Sequence, residues 1–245
     1  MKKLNLFFLI IIGVLSCTDK NSLFEELSPF RTGIKFSNDL AYDETFNIFT
    51  YRNYYNGGGV GLGDINNDGL IDIFFNSNLE KNRLYLNKGD FKFEDITDFA
   101  GVSGTKSWST GVSIADINAD GFLDIYVSNS GDIKGDNKQN ELYINNGDLT
   151  FTEMAADYGL DDTGYSTHAA FFDYDRDGDL DCYLLNNSYK GGFRITNIGT
   201  NQRPIRDSVG GDKLFRNDDG YFNDVSEESG ICLLYTSDAA DDSRS

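Results

Sequence analysis

The sequence predicts an all-β protein whose short strands form repeated four-stranded sheets of a β-propeller, and three observations lead to this prediction. A nine-residue acidic turn occurs three times, beginning at residues 64, 116 and 173. Short apolar runs flank each turn, about four to a unit. A period of about fifty residues with four short strands is typical of propeller blades, since one sheet cannot bury both faces alone. Glycine-rich turns and the 14 Tyr and 19 Phe also favour strands.

The chain begins with features of an export signal. Two lysines precede an apolar run from Leu4 to Leu15, which is too short to span a membrane. The run leads into Cys17 through residues that resemble a bacterial lipobox. We therefore expect residues 1–16 to be a signal peptide and residues 17–29 to be a tether lipidated at Cys17. An ordinary signal peptide with an incidental cysteine is the alternative.

The repeat region is expected to cover residues 30–231. Its first part, residues 30–55, contains extended-looking pieces such as 32–36, which belong either to the first blade or to a strand that closes a ring. Three blades are then predicted, at residues 57–103, 104–160 and 161–231. Propellers need at least four blades to close, so we expect the N-terminal part of something longer.

Each predicted blade has the same order of parts. A run of small and apolar residues leads into the acidic loop, and an alternating apolar strand follows it. A second strand of the pattern Leu-Tyr/Phe-x-Asn comes next, and a short Phe-led piece ending in a glycine turn closes the unit.

The three acidic loops carry the candidate site. They are the first loop (Asp64–Asp72), the second loop (Asp116–Asp124) and the third loop (Asp173–Asp181). Positions 1, 3, 5 and 9 hold oxygen-bearing side chains, the ligands that Ca²⁺ prefers, and position 6 is a glycine that permits a sharp reversal. The predicted side-chain ligands are Asp64, Asn66, Asp68, Asp72, Asp116, Asn118, Asp120, Asp124, Asp173, Asp175, Asp177 and Asp181.

The loops open like an EF-hand but do not continue as one. An EF-hand needs a bidentate Glu at position 12, where this chain has Phe75, Val127 and Leu184. Ordinary Asp-Gly turn chemistry is the alternative for any single copy, whereas three copies in register favour a cation. Crowded carboxylates repel unless a cation neutralises them, so the third loop, with five acids, is expected to bind most tightly or to need the ion most.

The formal net charge of -19 argues against a nucleic-acid partner. Phosphate binding requires clustered Lys and Arg, whereas much of the acidity here lies in the three loops. The charge therefore indicates cation binding.

These motifs together resemble FG-GAP or VCBS repeats. The resemblance rests on the three loops, the Leu-Tyr-x-Asn strands and the Phe-x-Asp/Glu pieces. The runs 55–60 and 171–181 resemble, more narrowly, bacterial lipoproteins that carry such repeats ahead of an ASPIC/UnbV C-terminal domain. The chain departs from that pattern because it has no ASPIC/UnbV segment, so we expect an N-terminal fragment.

The resemblance implies a fold, a cofactor and a location. Such repeats are similar in part to integrin α-subunit propellers, so about seven blades are implied, of which about three are present here. Up to three Ca²⁺ sites are implied, with added ligands at the position 7 carbonyls of Leu70, Phe122 and Asp179. A lipoprotein of this type would sit in the bacterial cell envelope, on the outer membrane, facing the periplasm or the cell surface.

Several residues outside the loops were weighed. Cys182 takes a strand position held by isoleucine in the other units, so a buried neutral thiol is expected and no disulfide. His168 lacks a triad-like partner and is expected to be structural. Trp108 and Tyr165 are expected to pack in the core, with a ligand-lining role on one face of the ring as the alternative.

Two further segments are distinctive. Residues 190–206 contain Lys190, Arg194, Arg203 and Arg206 without an acidic residue, which is typical of either a solvated loop or a contact for an anionic partner. Residues 232–245 break the repeat and resemble a translated adapter sequence, so a non-native tail is expected.

The predicted function is a calcium-bound binding or adhesion scaffold for a glycan or protein partner, held at a membrane by its N-terminal lipid. An enzyme is not expected, because the acids Glu153, Asp161 and Asp162 lack supporting spacing. A polysaccharide-processing enzyme and a purely structural envelope-complex subunit are the alternatives.

Overall fold

The computed structural model describes residues 23–51, 54–106, 108–131, 137–187 and 209–231. The expected signal peptide, Cys17, the basic segment 190–206 and the expected tail lie outside the described residues.

The described chain folds into three four-stranded antiparallel sheets, each with its strands in sequence order. Sheet 1 contains β1 (Val60–Gly63), β2 (Asp72–Phe75), β3 (Arg83–Asn87) and β4 (Phe93–Asp95). Sheet 2 contains β5 (Ser109–Ala115), β6 (Asp124–Asn129), β7 (Glu141–Asn145) and β8 (Phe151–Glu153). Sheet 3 contains β9 (Ser166–Phe172), β10 (Asp181–Asn186), β11 (Lys213–Asp218) and β12 (Tyr221–Asp224). Such repeated meanders are the units of a β-propeller, and the all-β prediction is confirmed.

Three one-turn helices complete the described elements: α1 (Pro29–Thr32), α2 (Thr97–Ala100) and α3 (Ala155–Tyr158). Each ends at a glycine in the left-handed region, where a side chain would be strained. Among the described residues, no helix has the length and apolar character to cross a membrane.

The sheets stack face to face, with the first strands β1, β5 and β9 adjacent. We call the face that turns toward the preceding sheet the front face and the opposite one the back face. The back face of sheet 1, with Phe74 and Leu84, packs against the front face of sheet 2, with Ile125 and Val127. The same contact recurs between sheets 2 and 3. Two buried cores therefore hold the described sheets together.

Glycines in β1 allow the close approach of β5. A Cβ on Gly61 would lie 2.7 Å from Cδ1 of Ile114, and one on Gly63 would lie 2.8 Å from Cγ2 of the same side chain. The small residues that precede the first loop are thus a packing requirement between neighbouring sheets.

Residues weighed outside the loops have clear positions. Cys182 is fully buried in the core between sheets 2 and 3, and burial raises the pKa of its thiol, which confirms the buried neutral thiol. Trp108 is buried against Tyr51 and Tyr54, so the packing prediction is confirmed for Trp108. His168 is exposed on β9.

Candidate metal centre

The three loops occupy equivalent places in the three sheets. Each joins the first strand of a sheet to its second strand, so all three lie at the same end of the stack. The backbone is left-handed twice in each loop, at position 4 and at the position 6 glycine, where φ is 86°, 93° and 106° at Gly69, Gly121 and Gly178. A Cβ on these glycines would meet no atom within 4 Å, so the backbone angle itself favours glycine.

The first loop closes on itself through hydrogen bonds. The backbone N–H of Gly69 donates to Asp64 Oδ2 at 2.7 Å, and that of Asp68 donates to Asp64 Oδ1 at 3.1 Å. The side-chain amide of Asn66 donates to Asp68 Oδ2 at 3.0 Å. An amide donor at position 3 therefore partly satisfies the carboxylate at position 5 without a cation.

The second loop repeats this arrangement. The N–H of Gly121 donates to Asp116 Oδ2 at 2.9 Å, and the amide of Asn118 donates to Asp120 Oδ2 at 2.9 Å. The first and second loops thus share one pattern of internal hydrogen bonds.

The position 9 carboxylates are buried and tie each loop to the third strand of its sheet. Asp124 accepts the N–H of Ile117 at 2.8 Å on one oxygen and that of Asn145 at 2.9 Å on the other. Asp72 and Asp181 accept the corresponding pairs of N–H groups at 2.7–3.0 Å. Both oxygens of each carboxylate therefore accept hydrogen bonds from backbone N–H groups. A metal-ligand role for position 9 stays a prediction.

The asparagine of the Leu-Tyr/Phe-x-Asn strand is a functional residue that sequence reasoning left without a role. Its side-chain amide donates to the backbone carbonyl of loop position 8, from Asn87 to Ile71 at 2.8 Å and from Asn145 to Leu123 at 3.1 Å. Asn217 donates to Leu180 at 3.3 Å. The recurrence of this asparagine in every unit was the sequence signal that could have singled it out.

The third loop lacks the amide donor, because position 3 is Asp175. The structure brings together one oxygen each of Asp173, Asp175 and Asp177, all within 4.8 Å of one another. Two oxygens on opposite sides of a Ca²⁺ ion lie about 4.8 Å apart, twice the usual ligand distance of roughly 2.4 Å. Position 7 adds an unsatisfied acceptor, since Asp179 Oδ1 is buried without a hydrogen-bond partner.

The carboxyl groups of the loops have raised pKa values for identifiable reasons. Burial raises the pKa of Asp72, and it raises that of Asp124 to about 6 against the opposing effect of two backbone N–H donors. Burial and then the charge of Asp177 raise the pKa of Asp179 to about 6 and act in the same direction on Asp175. The third loop therefore holds carboxylates that a positive ion would stabilise.

An all-oxygen donor set of crowded carboxylates fits a hard divalent cation such as Ca²⁺, and the third loop meets this requirement most fully. Positions 1, 3 and 5 of the first two loops also carry oxygen atoms, but some of these oxygens already accept hydrogen bonds from within the loop. Ligation by the carbonyls of Leu70, Phe122 and Asp179 stays a prediction.

Two of the acids considered for catalysis, Asp162 and Glu153, have other partners. Asp162 forms an ion pair with Lys213, and both side chains are largely buried. Glu153 accepts the N–H of Ala155 at 2.9 Å, at the start of α3.

The side chain of Tyr165 contacts a lysine. Lys138 lies over the ring of Tyr165, with 3.9 Å between its ammonium nitrogen and the ring centroid.

Comparison with known proteins places these loops among characterised repeats. Residues 64–127 and 130–184 match the FG-GAP-like repeat. The chain is 33% identical over 173 residues to cartilage acidic protein 1 of Xenopus tropicalis, which covers 69% of this chain and 25% of that protein. It is 28% identical over 169 residues to cartilage acidic protein 1 of Homo sapiens, covering 67% of this chain and 24% of the relative. The chain thus spans about a quarter of the length of these curated relatives.

Proposed function

This chain carries FG-GAP-like repeats and is homologous to cartilage acidic protein 1, and from that premise we propose that it is a calcium-bound scaffold that presents a binding surface to a glycan or a protein. The ion would be Ca²⁺, held by the acidic loops, and the sheets would serve as the rigid support.

The cluster of Asp173, Asp175 and Asp177 carries the calcium part of the proposal. Their oxygens lie close enough to share one ion, and no amide of the loop's own side chains offsets their charge. The bound ion would neutralise this charge and hold the turn between β9 and β10. The first and second loops, with three carboxylates each, would hold an ion more weakly.

The binding part of the proposal is supported by the segments that join the second and third strands of each sheet, at the end opposite the acidic loops. The segment between the second and third strands spans residues 76–82 in sheet 1, 130–140 in sheet 2 and 187–212 in sheet 3. Variable loops on a repeated framework are where binding specificity is usually found. We therefore place the partner-binding surface at the end opposite the acidic loops.

Calcium binding is tested by thermal unfolding and isothermal titration of the full chain in EGTA and in Ca²⁺. We expect Ca²⁺ to raise the melting temperature, and Asp173→Ala or Asp177→Ala to remove most of that rise, since ligand binding to the folded state adds stability. His168→Ala is the matched control, because His168 is exposed on β9 away from the loop. Equal melting curves with and without Ca²⁺ would refute the calcium proposal.

The partner class is tested by glycan-array binding and by turnover assays on the same polysaccharides. Binding without product formation supports the scaffold. Product formation from any polysaccharide would support the enzymatic alternative with Glu153, Asp161 or Asp162, of which Glu153 and Asp162 would have to leave the partners described above. Protein partners without a glycan ligand would support a structural subunit of an envelope complex.

Membrane attachment through Cys17 in a bacterial envelope is also part of the proposal. The lipobox-like residues before Cys17 support it. Expression in a bacterium with a radiolabelled fatty acid should label the chain, and Cys17→Ser should abolish the label and release the chain from the membrane fraction. Labelling that survives Cys17→Ser would contradict this anchor.

A further inference from the structure

An aromatic loop precedes the first strand of sheet 1. We use this name for residues 40–51, which belong to the link from α1 to β1. That link spans residues 33–59, whereas the links that follow α2 and α3 span only residues 101–108 and 159–165. The aromatic loop is therefore an addition to the repeated framework, and such loops are where binding residues are usually found.

Hydrogen bonds within the aromatic loop fix its conformation. Asp43 Oδ1 accepts the backbone N–H of Thr45 at 2.7 Å and that of Phe46 at 2.8 Å. The side-chain amide of Asn47 donates to the carbonyl oxygen of Asp43 at 2.8 Å, and Asn47 Oδ1 accepts the N–H of Phe49 at 2.9 Å. The Thr45 hydroxyl and the two N–H groups hold the pKa of the Asp43 carboxyl below its usual value. The backbone that carries Phe49 is thus held by two side chains of the loop itself.

Aromatic rings attach the loop to sheet 2. Phe46, Tyr51 and Tyr54 surround the buried side chain of Trp108, and their ring centroids lie 5.0, 4.9 and 5.5 Å from that of Trp108. Trp108 immediately precedes β5, at the end of the sheets opposite the acidic loops. Its φ of 60° is a backbone conformation that costs free energy for a residue other than glycine, so the surrounding packing must hold it. The aromatic loop is therefore fixed at the end where we place the partner-binding surface.

The same segment also exposes aromatic side chains to solvent. Phe49 is 97% exposed, and Tyr42 and Tyr55 are 72% and 65% exposed. Phe49 lies in a turn that is closed by a hydrogen bond from the N–H of Asn47 to the hydroxyl of Thr50 at 3.0 Å. An aromatic ring held in water on a fixed loop forgoes the free energy that its burial would supply. Exposed aromatic residues of this kind are typical anchors of protein interfaces.

The charges of the aromatic loop favour a basic partner. Residues 36–51 contain Asp39, Asp43 and Glu44 and no Lys or Arg, and two of these acids directly follow Tyr42 in the sequence. A Lys or Arg side chain is attracted both by an aromatic face and by a neighbouring carboxylate. An anionic membrane surface or a carboxylated glycan would instead be repelled by the three acids. The combination of exposed rings and acidic residues therefore fits a partner that is both apolar and positively charged.

We propose that the aromatic loop is a docking site for a basic segment of a partner protein. Apolar side chains of that segment pack against Phe49, and its Lys or Arg side chains lie at Tyr42 and Glu44. The apolar contact supplies affinity, and the charges orient the partner and speed its association. This inference rests on the proposed binding role and names a protein, not a glycan, as the partner at this loop.

The proposal is tested with a phage-displayed library of random dodecapeptides selected on the full chain. We expect the enriched peptides to combine apolar residues with Lys or Arg. A synthetic peptide of the most enriched sequence should bind Phe49→Ser at least about tenfold more weakly than the parent, because truncating an anchoring aromatic residue removes most of its contact. Phe30→Ser is the matched control, since Phe30 is 99% exposed on α1, and its affinity for the peptide should equal that of the parent.

A charge reversal separates the electrostatic contribution from the apolar contact. Glu44→Lys should weaken peptide binding several-fold at low salt and reduce the dependence of the affinity on salt, because it replaces an attraction by a repulsion. Asp157→Lys on α3 makes the same change of charge outside the loop and should alter the affinity little. Phe49→Ser and Glu44→Lys should both keep the parent's melting temperature, since both side chains are exposed.

Four outcomes would overturn the proposal. The selection enriches no sequence, or the enriched peptides lack Lys and Arg, or they bind Phe49→Ser as tightly as the parent. The fourth is Phe49-dependent binding to vesicles of phosphatidylcholine or to the glycan array, which would assign the loop to a membrane surface or to a glycan. A partner that binds the parent and Phe49→Ser equally refutes this loop but leaves the scaffold proposal standing. None of these measurements requires calcium, so the calcium proposal can fail separately.

Discussion

The first and third loops have one backbone path but satisfy their carboxylates differently. In the first loop the amide of Asn66 donates to Asp68, whereas in the third loop Asp175 takes the place of that amide. The left-handed residues at positions 4 and 6 and the buried carboxylate at position 9 are shared. The comparison teaches that the backbone angles form the turn in both loops, while position 3 decides whether an amide donor or a further carboxylate lies beside position 5.

The largest effect should come from the shared position 9, whichever loop is changed. Asp124→Ala would leave the buried N–H groups of Ile117 and Asn145 without an acceptor, which costs roughly 1–3 kcal/mol for each. We expect Asp124→Ala and Asp181→Ala to destabilise the fold by similar amounts in EGTA. Urea unfolding measures both, with Asp157→Ala on α3 as control. A much larger loss for Asp181→Ala would show that the frame is not equivalent in the two loops.

Exchanging position 3 should convert one kind of loop into the other. Asp175→Asn restores the amide donor, so in EGTA the melting temperature should rise by a few degrees and the further rise in Ca²⁺ should shrink. Asn118→Asp in the second loop should do the reverse. If both variants respond to Ca²⁺ as the parent does, position 3 does not set the cation requirement.

Acid should stabilise the metal-free protein over a narrow range. The folded-state pKa of Asp124 and that of Asp179 are raised to about 6 from 3.8, so the folded chain binds these protons more readily than the unfolded chain. This stabilisation is complete below about pH 4 and is lost as the pH rises through 6. In EGTA, melting temperatures should therefore rise from pH 7 to pH 5. Asp179→Asn should reduce the rise, and a parent curve that falls instead would contradict these shifts.

The smallest effect should come from position 4. Ala119 has φ of 58°, where glycine is unstrained. Ala119→Gly removes strain of roughly 1–2 kcal/mol and adds a backbone entropy cost of roughly 0.5–1 kcal/mol, so it should stabilise the fold by about 0.5–1 kcal/mol. Arg176→Gly relieves the same strain at φ of 66° but removes the one basic residue of the third loop. We expect Arg176→Gly to leave the free energy of unfolding unchanged in EGTA and to increase it in Ca²⁺. Urea unfolding measures this free energy for both variants. Equal gains in EGTA for Ala119→Gly and Arg176→Gly would argue against repulsion in the third loop.

Much of the fold could be predicted because its signal is local and repeated. The acidic turns, the alternating strand after Asp72 and the Leu-Tyr/Phe-x-Asn strand recur in order, and neighbours in order pair as antiparallel strands. The burial of Cys182 followed from its strand position. The role of Asn87 could not be predicted, because its contact with Ile71 joins the third strand to the acidic loop and depends on sheet register.

The sequence by itself determined the repeat, the turn chemistry and the strand order, since each depends on residues within one unit. Only the tertiary structure decided where the position 9 carboxylates point and where residues 24–35 lie. The backbone N–H of Asn87, on β3, donates a hydrogen bond to Asp72. Gly33 lies against Phe93, about sixty residues further along the chain. Such contacts form only when sheets stack, because burial of their faces sets the register between segments that are distant in sequence.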